Sequence, residues 1–231
     1  LIEFDADRKT MLVGVGGGVV TDITGYVASV YLRGVEFAFV PTTILAMVDA
    51  AIGGKNGIDV GLYKNMIGTI NQPKFLLYDY SFLQTLPTEQ WINGFAEIIK
   101  HACIKDAELF TELQNNSIEK YKNDEVLLTA LIQKNVSLKT TIVIKDEFEQ
   151  GERKLLNFGH TFGHAIENLY QLPHGNAVSI GMVLAAKISE EINNFHTVEK
   201  DNIIALLKQY QLPTMLDFDK GKVFSILTKD K

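Results

Sequence analysis

The pattern of hydrophobic and polar positions changes along the chain at Leu86-Pro87. Before that point, short apolar runs of strand length alternate with glycines and with segments of helix length. The pattern predicts strands over residues 10–15, 35–40 and 75–79, and a helix from Thr21 or Asp22 to about Leu32. Strands and helices that alternate at this spacing predict a parallel sheet covered by helices.

After Pro87, apolar residues recur every three to four positions, which is typical of amphipathic helices. Ser179, Met182, Val183 and Ala186 illustrate the spacing. The pattern predicts helices over residues 89–103, 107–115, 124–144, 161–170, 177–193 and 198–210. We therefore expect an α/β fold followed by an all-α fold, with an α/β domain over residues 1–86 and a mostly helical domain over residues 87–231. A ligand would bind in the crevice between them, at the carboxyl ends of the strands.

The segment after the second predicted strand is broken up by glycines. Pro41 ends the strand, and Thr42 or Thr43 is positioned to cap a helix. Glycines then follow at positions 53, 54, 57 and 61, and we expect this stretch to be a loop.

Composition places the chain among ordinary globular proteins, with 46% hydrophobic and 22% charged residues. A net charge of −6 argues against nucleic-acid binding, which normally requires a basic face. The best apolar run, residues 37–48, contains Pro41 and is shorter than the ~20 residues that a membrane span needs. Cys103 is the single cysteine and no signal peptide opens the sequence, so we expect a cytoplasmic location.

Glycines follow the first predicted strand at positions 14, 16, 17 and 18, with Asp22 close behind. Glycines between a strand and a helix let the backbone approach a phosphate, and the helix N-terminus offers free N–H groups. The run departs from G-x-G-x-x-G because its sixth position is Val19. A tight turn with glycines for packing is therefore an equal alternative, and Asp22 is either a cap or an acceptor for a nicotinamide or ribose group.

Three histidines lie within fifteen residues, at positions 160, 164 and 174. His160 and His164 are four residues apart, which places them on one helical face, but the glutamate of H-E-x-x-H is missing. Upstream, Glu97 shares a predicted helical face with Lys100 and His101. Two histidines and a carboxylate with one open position form a common catalytic zinc set. The alternative is a buried, hydrogen-bonded histidine pair.

Few cationic side chains are placed to bind an anion. The sequence has three arginines, at positions 8, 33 and 153, and arginine suits carboxylate and phosphate. Lys55 and Lys64 lie in the glycine-rich stretch. A single lysine is usually a solvated surface charge, but close backbone packing around Lys55 would turn its ammonium toward a ligand.

Seven motifs in order make the sequence similar to the 3-dehydroquinate synthase family of sugar phosphate cyclases. They cover about Gly14 to Ala186, at residues 16–29, 40–49, 53–55, 64–68, 93–100, 155–164 and 174–175. The resemblance implies a lyase that depends on NAD and on zinc, for which cobalt is a possible substitute. Members convert 3-deoxy-D-arabino-heptulosonate 7-phosphate into 3-dehydroquinate and phosphate, in the shikimate pathway, and regenerate NAD in each turnover.

The resemblance also implies roles for individual residues. The zinc ligands would be Glu97, His160 and His174, and His164 would bind an anion and act as an acid or base. Positions that contact NAD would be Gly17, Gly18, Val19, Asp22, Thr42, Thr43, Lys55, Lys64 and the stretch from Phe82 to Thr85. Substrate positions would be Asp49, Lys55, Asn65, Lys100, Lys139, Arg153 and Asn157, with Glu149 as a proton acceptor. Arg33 would reach the site of a neighbouring subunit, which implies a homodimer.

Two features of the family are missing or incomplete. Members begin with a further α/β unit that binds the adenosine part of NAD, and they end with an Asp-Lys-Lys motif. The chain ends within a similar motif, at Asp230-Lys231. We therefore expect a fragment without the N-terminal α/β unit and the C-terminal end.

Other interpretations compete with this one. Related cyclases, such as 2-deoxy-scyllo-inosose synthase or a sedoheptulose 7-phosphate cyclase, share the zinc and NAD motifs, but Arg153, Asn157 and His164 together favour the dehydroquinate reaction. An alcohol dehydrogenase similar to glycerol dehydrogenase would need metal and NAD without a phosphate cluster. A non-catalytic dinucleotide-binding module would have no use for a zinc site with an open position.

Overall fold

The computed structural model describes residues 1–61 and 63–228, so the Asp230-Lys231 motif lies outside the described residues. Its first part contains two parallel strands, β1 (Met11–Gly16) and β2 (Glu36–Pro41), joined by helix α1 (Gly18–Val30). Met11 pairs with Glu36 and Gly16 with Pro41, so both strands end at the same edge. Both predicted strands are confirmed to within a residue. Helix α1 begins at Gly18, three residues before Thr21, so the expectation that Thr21 or Asp22 caps it is wrong.

The third predicted strand is mostly wrong. Residues 75–79 run beside β2, but only one bridge forms, between Phe39 and Leu76. The Phe39 amide donates to the Phe75 carbonyl at 3.2 Å, and the Leu77 amide donates to the Phe39 carbonyl at 2.9 Å. The segment is extended because of these contacts, and it is too short for a full ladder.

The glycine-rich stretch is irregular only over residues 51–54, and from Lys55 onward it is an antiparallel hairpin, so the loop expected there is wrong after Gly54. Its strands are β3 (Lys55–Val60) and β4 (Tyr63–Ile70), with Gly57 opposite Gly68. A Cβ at Gly68 would lie 2.5 Å from the Asn56 carbonyl oxygen, so glycine lets the two backbones approach closely. These glycines interrupt the hydrophobic pattern, but they permit strand pairing rather than break it.

Helices make up the rest of the described chain. They are α2 (Thr88–Lys105), α3 (Ala107–Gln114), α4 (Ile118–Asn123), α5 (Glu125–Lys145), α6 (His160–Tyr170), α7 (His174–Asn193), α8 (Thr197–Gln209) and α9 (Lys220–Leu227). All six predicted helices are confirmed, while α4 and α9 were not predicted. Asp106 and Asp124 cap α3 and α5 by accepting from backbone amides at 2.8 and 2.9 Å.

The largest core cluster lies among α2, α5, α7 and α8 and includes residues from before Pro87. Ile44, Met47 and Leu83 are buried there against Trp91 and Phe95 of α2. The start of α2 at Thr88 agrees with the change of pattern at Pro87. The division into domains of residues 1–86 and 87–231 stays a prediction. Within residues 1–61 and 63–228, no helix has the length and hydropathy to cross a membrane.

Candidate active site

Three helices bring one carboxylate and two imidazoles together. Glu97 lies in the middle of α2, and His160 and His174 are the first residues of α6 and α7. Glu97 Oε1 is 3.3 Å from His160 Nε2 and 3.1 Å from His174 Nε2. One possible ligand atom from each residue lies within 4.8 Å of the others. Residues 77 positions apart in sequence thus converge on one point.

Glycines at the helix crossings make this approach possible. A Cβ at Gly94, one turn before Glu97, would lie 2.5 Å from Ile44 Cγ2, so α2 packs directly on the turn that follows β2. A Cβ at Gly181 of α7 would lie 1.9 Å from the carbonyl oxygen of Gly159, the residue before His160. Gly159 also has φ +82°, a conformation that disfavours other residues. The motif around His160 therefore uses its glycines to seat α6 on α7.

The Nδ1 atoms of His160 and His174, which face away from Glu97, each have a polar contact of their own. His174 Nδ1 lies 3.1 Å from Glu167 Oε2, and His160 Nδ1 lies 3.3 Å from the Phe158 carbonyl oxygen. Such contacts fix the ring orientation and direct Nε2 inward, as in metal sites. Glu167 was not among the predicted site residues, although its position seven residues after His160 on the same face of α6 was a usable signal.

The electrostatics of this cluster favour a cation. Glu97 is fully buried, and burial alone would raise its pKa, but Lys100 and His160 hold the pKa well below its usual range. Burial alone would lower the pKa of His174, but hydrogen bonds to Glu167 and Glu97 raise it to about 10. A carboxylate and two imidazole nitrogens that face one another are ligands that Zn²⁺ prefers, and the remaining position of a tetrahedron would be open. The residues present therefore fit a catalytic zinc ion.

A second cluster surrounds Asp49, on the π-helical turn Ala46–Ala50. Lys139 of α5 donates to its Oδ1 at 2.6 Å, Lys100 Nζ lies 3.9 Å from the same atom, and His101 Nε2 lies 3.7 Å away. Burial opposes ionisation, but the two lysines hold the pKa of Asp49 well below its usual range. Asp49, Glu97 and His101 also form a group of possible metal ligands. Because Asp49 Oδ1, the atom that this group would offer, already accepts from Lys139 and lies near Lys100, this group suits a cation less well than Glu97, His160 and His174.

A third cluster joins the hairpin to the segment after α5. Lys55 Nζ lies 2.5 Å from Glu149 Oε2, and Asn157 donates to Glu149 Oε1 at 3.2 Å. Arg153 is 2% exposed and donates to the backbone carbonyls of Gly53, at 2.8 Å, and Glu147, at 2.5 Å. These bonds hold the guanidinium in place beside the residues that the resemblance assigns to the substrate.

The glycine turn lies at the carboxyl ends of β1 and β2. The Thr42 amide donates to the Gly16 carbonyl at 2.9 Å, and a Cβ at Gly17 would lie 3.1 Å from Thr43 Cγ2. Thr43 Oγ1 accepts from the Ala46 amide at 3.2 Å, which confirms the predicted cap. Gly18 begins α1, and Val19 after it is 74% exposed.

Asp22 lies between the turn and the charged clusters. Burial raises its pKa to about 7, and the carboxylates of Asp49 and Asp59 add to the shift, while Lys139 and Lys64 oppose it. Lys64 of β4 lies 2.8 Å from Asp59 and 3.0 Å from Glu167. Asp22 and Lys64 thus belong to the same electrostatic neighbourhood as the Asp49 cluster.

His164 lies next to the candidate zinc ligands Glu97, His160 and His174, called the zinc-type group below, but it is not one of them. Its ring centroid lies 5.2 Å from that of His160 and 6.5 Å from that of His174. Burial, followed by repulsion from these two histidines, lowers its pKa to about 4. Among the described residues, the ring nitrogens in contact with Glu97 belong to His160 and His174. Four-residue spacing alone suggests a different pair, His160 and His164.

Four expected site residues lie apart from these contacts. Arg33 ends the exposed turn Tyr31–Arg33, and no hydrogen bond or ion pair joins it to another residue in 1–61 or 63–228. Phe82 and Thr85 lie exposed on the 3₁₀ turn Tyr80–Thr85. Asn65 is exposed with φ +49°, and its backbone N–H donates to Asp59 Oδ1 at 2.9 Å.

Comparison with known proteins gives consistent matches over the whole chain. Residues 1–93 match the family description 3-dehydroquinate synthase N-terminal, and residues 94–231 match 3-dehydroquinate synthase C-terminal. The 3-dehydroquinate synthase of Pyrococcus abyssi is 44% identical over 234 residues, which cover 100% of this chain and 68% of that protein. The chain thus spans about two thirds of that relative's length.

Two solved structures of sugar phosphate cyclases are similar in fold. A 2-epi-5-epi-valiolone synthase from Streptomyces hygroscopicus, with NAD⁺ and Zn²⁺ bound, has a TM-score of 0.92 and 31% identity, over 99% of this chain and 65% of that one. A 2-deoxy-scyllo-inosose synthase complexed with carbaglucose-6-phosphate, NAD⁺ and Co²⁺ has a TM-score of 0.88 and 30% identity, over 100% of this chain and 64% of that one. The expected α/β then all-α fold class is confirmed.

Proposed function

The chain belongs to the 3-dehydroquinate synthase family, and we propose that the protein converts 3-deoxy-D-arabino-heptulosonate 7-phosphate into 3-dehydroquinate and phosphate. One observation carries the proposal: the donors of Glu97, His160 and His174 lie beside the partly buried carboxylate of Asp49, which Lys100 and Lys139 hold ionised. The cofactors would be NAD, used catalytically, and zinc, with cobalt as a possible substitute.

The zinc ligands in this proposal are Glu97, His160 and His174. When bound, zinc supplies polarisation of substrate hydroxyls, and NAD supplies reversible oxidation of one carbon. Glu167 and the Phe158 carbonyl keep the imidazole Nε2 atoms turned inward, so the protein presents its ligands already oriented. Lys100 balances the charge of Glu97, which lets that carboxylate stay ionised without water.

Substrate recognition would fall to the Asp49 cluster and the hairpin. Asp49 accepts hydrogen bonds from substrate hydroxyls, because Lys100 and Lys139 keep it ionised. Lys55 and Asn157 contact Glu149, and Arg153 lies within its electrostatic influence. These three residues would supply donors for the phosphate and the carboxylate, together with Asn65 on β4. These cations are local, which reconciles an anionic substrate with a chain of net charge −6.

Proton transfer would use His164 and Glu149. The His164 imidazole is uncharged at neutral pH, since burial keeps its pKa near 4, so it can accept a proton or donate a hydrogen bond to phosphate. Glu149 is the proposed proton acceptor near the substrate, and its carboxylate is positioned by Lys55 and Asn157.

NAD would bind along the glycine turn. The residues proposed to contact it are Gly17, Gly18, Val19, Asp22, Thr42, Thr43, Lys55, Lys64, Phe82 and Thr85. Gly17 and Gly18 lie where β1 ends and α1 begins, and the N-terminus of α1 would present backbone N–H groups and the positive end of the helix dipole to a phosphate of the cofactor. Val19 is exposed beside them and offers an apolar surface.

Arg33 would serve the site of a second subunit in a homodimer. Its exposure and its lack of partners in the described residues support this role. Mixing inactive Arg33→Ala with inactive Lys100→Ala protein should restore part of the activity, because hybrid dimers carry one intact site. No restoration, with dimers and hybrids demonstrated, would contradict the shared site.

Product analysis with little NAD tests the proposed reaction. The purified protein is incubated with the heptulosonate phosphate and NAD at one tenth of the substrate concentration, and phosphate and NADH are measured together. We expect phosphate release to exceed the NAD supplied, without accumulation of NADH. NADH formed in proportion to product would instead support a metal-dependent alcohol dehydrogenase, and activity restricted to a phosphosugar without a carboxylate would support another cyclase.

A further inference from the structure

A continuous chain of polar contacts leads from the zinc-type group to the turn of the hairpin. His174 Nδ1 lies 3.1 Å from Glu167 Oε2, and Lys64 Nζ lies 3.0 Å from the other oxygen, Oε1. Lys64 also donates to Asp59 Oδ2 at 2.8 Å, and Asp59 Oδ1 accepts from the Asn65 amide at 2.9 Å. Residues of β3, β4, α6 and α7 take part.

In this series of contacts, Glu167 is the residue that joins His174 to Lys64. Its side chain is 9% exposed, and each carboxylate oxygen has its own cationic or imidazole partner. Burial would raise its pKa, but His174 and Lys64 lower the pKa to about 2. Loss of His174 would leave Oε2 without its partner, and loss of Lys64 would leave Oε1 without its partner, and a buried carboxylate oxygen without a partner is costly.

We propose that Glu167 is a positioning residue that couples metal binding at His174 to the order of the β3–β4 hairpin. On one side it orients the His174 imidazole, and on the other it anchors Lys64 and, through Asp59, the backbone at Asn65. Any coupling of this kind is reciprocal: a metal that favours one orientation of His174 also favours the anchored hairpin. This inference rests on the proposed metal site and adds that the order of the β3–β4 hairpin depends on whether the metal is bound.

The turn end of the hairpin is suited to such control because residues 59–61 and 65–68 are exposed, whereas the base of β3 packs on α1, where Asn56 is buried. Its strands pair only with each other in the described residues, and several apolar residues of β4 remain exposed, including Met66 and Ile67. A two-stranded hairpin has little independent stability, so one buried ionic anchor has a large effect on how often it opens.

Hydrogen–deuterium exchange with and without zinc tests the coupling. We follow peptides covering residues 55–70 in the wild type and in Glu167→Gln, and titrate zinc to find its affinity for each protein. In the wild type, zinc should slow exchange in the hairpin. Glu167→Gln should bind zinc about 10–100-fold more weakly, and its hairpin should exchange quickly even when zinc saturates the site.

Two further variants separate the explanations. Glu190→Gln removes a carboxylate on α7 that pairs with Lys200 at 2.7 Å outside the site, and should behave as the wild type does. Asp59→Asn should loosen the hairpin and, because the coupling is reciprocal, weaken zinc binding by less than Glu167→Gln does, since His174 keeps its direct partner. The coupling is overturned if saturating zinc slows hairpin exchange in Glu167→Gln as much as in the wild type. A wild type that binds no zinc would overturn the proposed metal site as well, and the titration distinguishes the two failures.

Discussion

Lys139 Nζ lies 2.6 Å from the Oδ1 atom of Asp49 and 2.6 Å from the carbonyl oxygen of the same residue. The two residues are 90 positions apart, and the contact ties α5 to the turn that follows β2. Lys139 is 7% exposed, so its ammonium has exchanged water for these two acceptors. A buried cation held in this way is costly to leave unpaired.

Removing both partners should destabilise the protein by less than the sum of the two single removals. Lys139→Met keeps the length of the side chain, and Asp49→Asn keeps its shape. Each single change should lower the free energy of unfolding by ~1–3 kcal/mol, because the remaining charge loses its nearest partner but keeps a second one, Lys100 for Asp49 and the backbone carbonyl for Lys139. The double variant should lose less than the sum of the two. Urea denaturation of the four proteins gives the coupling, and strictly additive losses would contradict a direct pair.

Lys55 should matter for turnover and little for stability. Its side chain is 46% exposed, and its ion pair with Glu149 is of the surface type, worth ~0–1 kcal/mol. Lys55→Ala should therefore leave the thermal midpoint nearly unchanged while catalytic turnover falls strongly. Lys74→Ala, which removes a similarly exposed lysine paired with Glu36, should change neither quantity. A Lys55→Ala protein that unfolds early would show that the residue is structural.

The helices were predictable because their signals are local. Asp106 and Asp124 stand immediately before α3 and α5 and accept from amides three residues on, and the apolar period of both helices follows directly. The hairpin was not predictable in this way. Gly57 pairs with Gly68 on the neighbouring strand, and a local pattern of glycines does not indicate which residues pair.

The candidate site depended on information beyond spacing. Four-residue spacing places His160 and His164 on the same helix face. Periodicity does not show whether both of them or only one of them binds the metal. The partner of His160 is set by where α7 begins, and that position follows from the crossing at Gly159 and Gly181. Glu167 was missed for a related reason, because a carboxylate on a helix face normally points to water.

Asp22 should make stability depend on pH. Burial raises its pKa from an ordinary 3.8 to about 7, so the folded protein binds this proton more tightly than the unfolded chain does. The stability linked to the proton is fully present below pH ~4 and is lost as the pH rises through about 7. Asp22→Asn should remove this dependence, so its advantage over the wild type should grow between pH 5 and pH 8. Urea denaturation across that range measures it, and a constant difference between the two proteins would contradict the raised pKa.

The three histidines should separate into ligands and a non-ligand. Removing His160 or His174 leaves two protein donors, Glu97 and the other histidine, which is too few for a stable zinc site, so His160→Ala and His174→Ala should lose metal and activity together. His164→Ala should keep its zinc and turn over ~10²–10⁴-fold more slowly, the range for loss of a general acid or base. Metal per protomer is measured after exhaustive dialysis, with His196→Ala, outside the group, as the control. Zinc-free His164→Ala protein beside zinc-replete His174→Ala protein would show that the i, i+4 pair is the true ligand pair, and the coupling through Glu167 would fall with it.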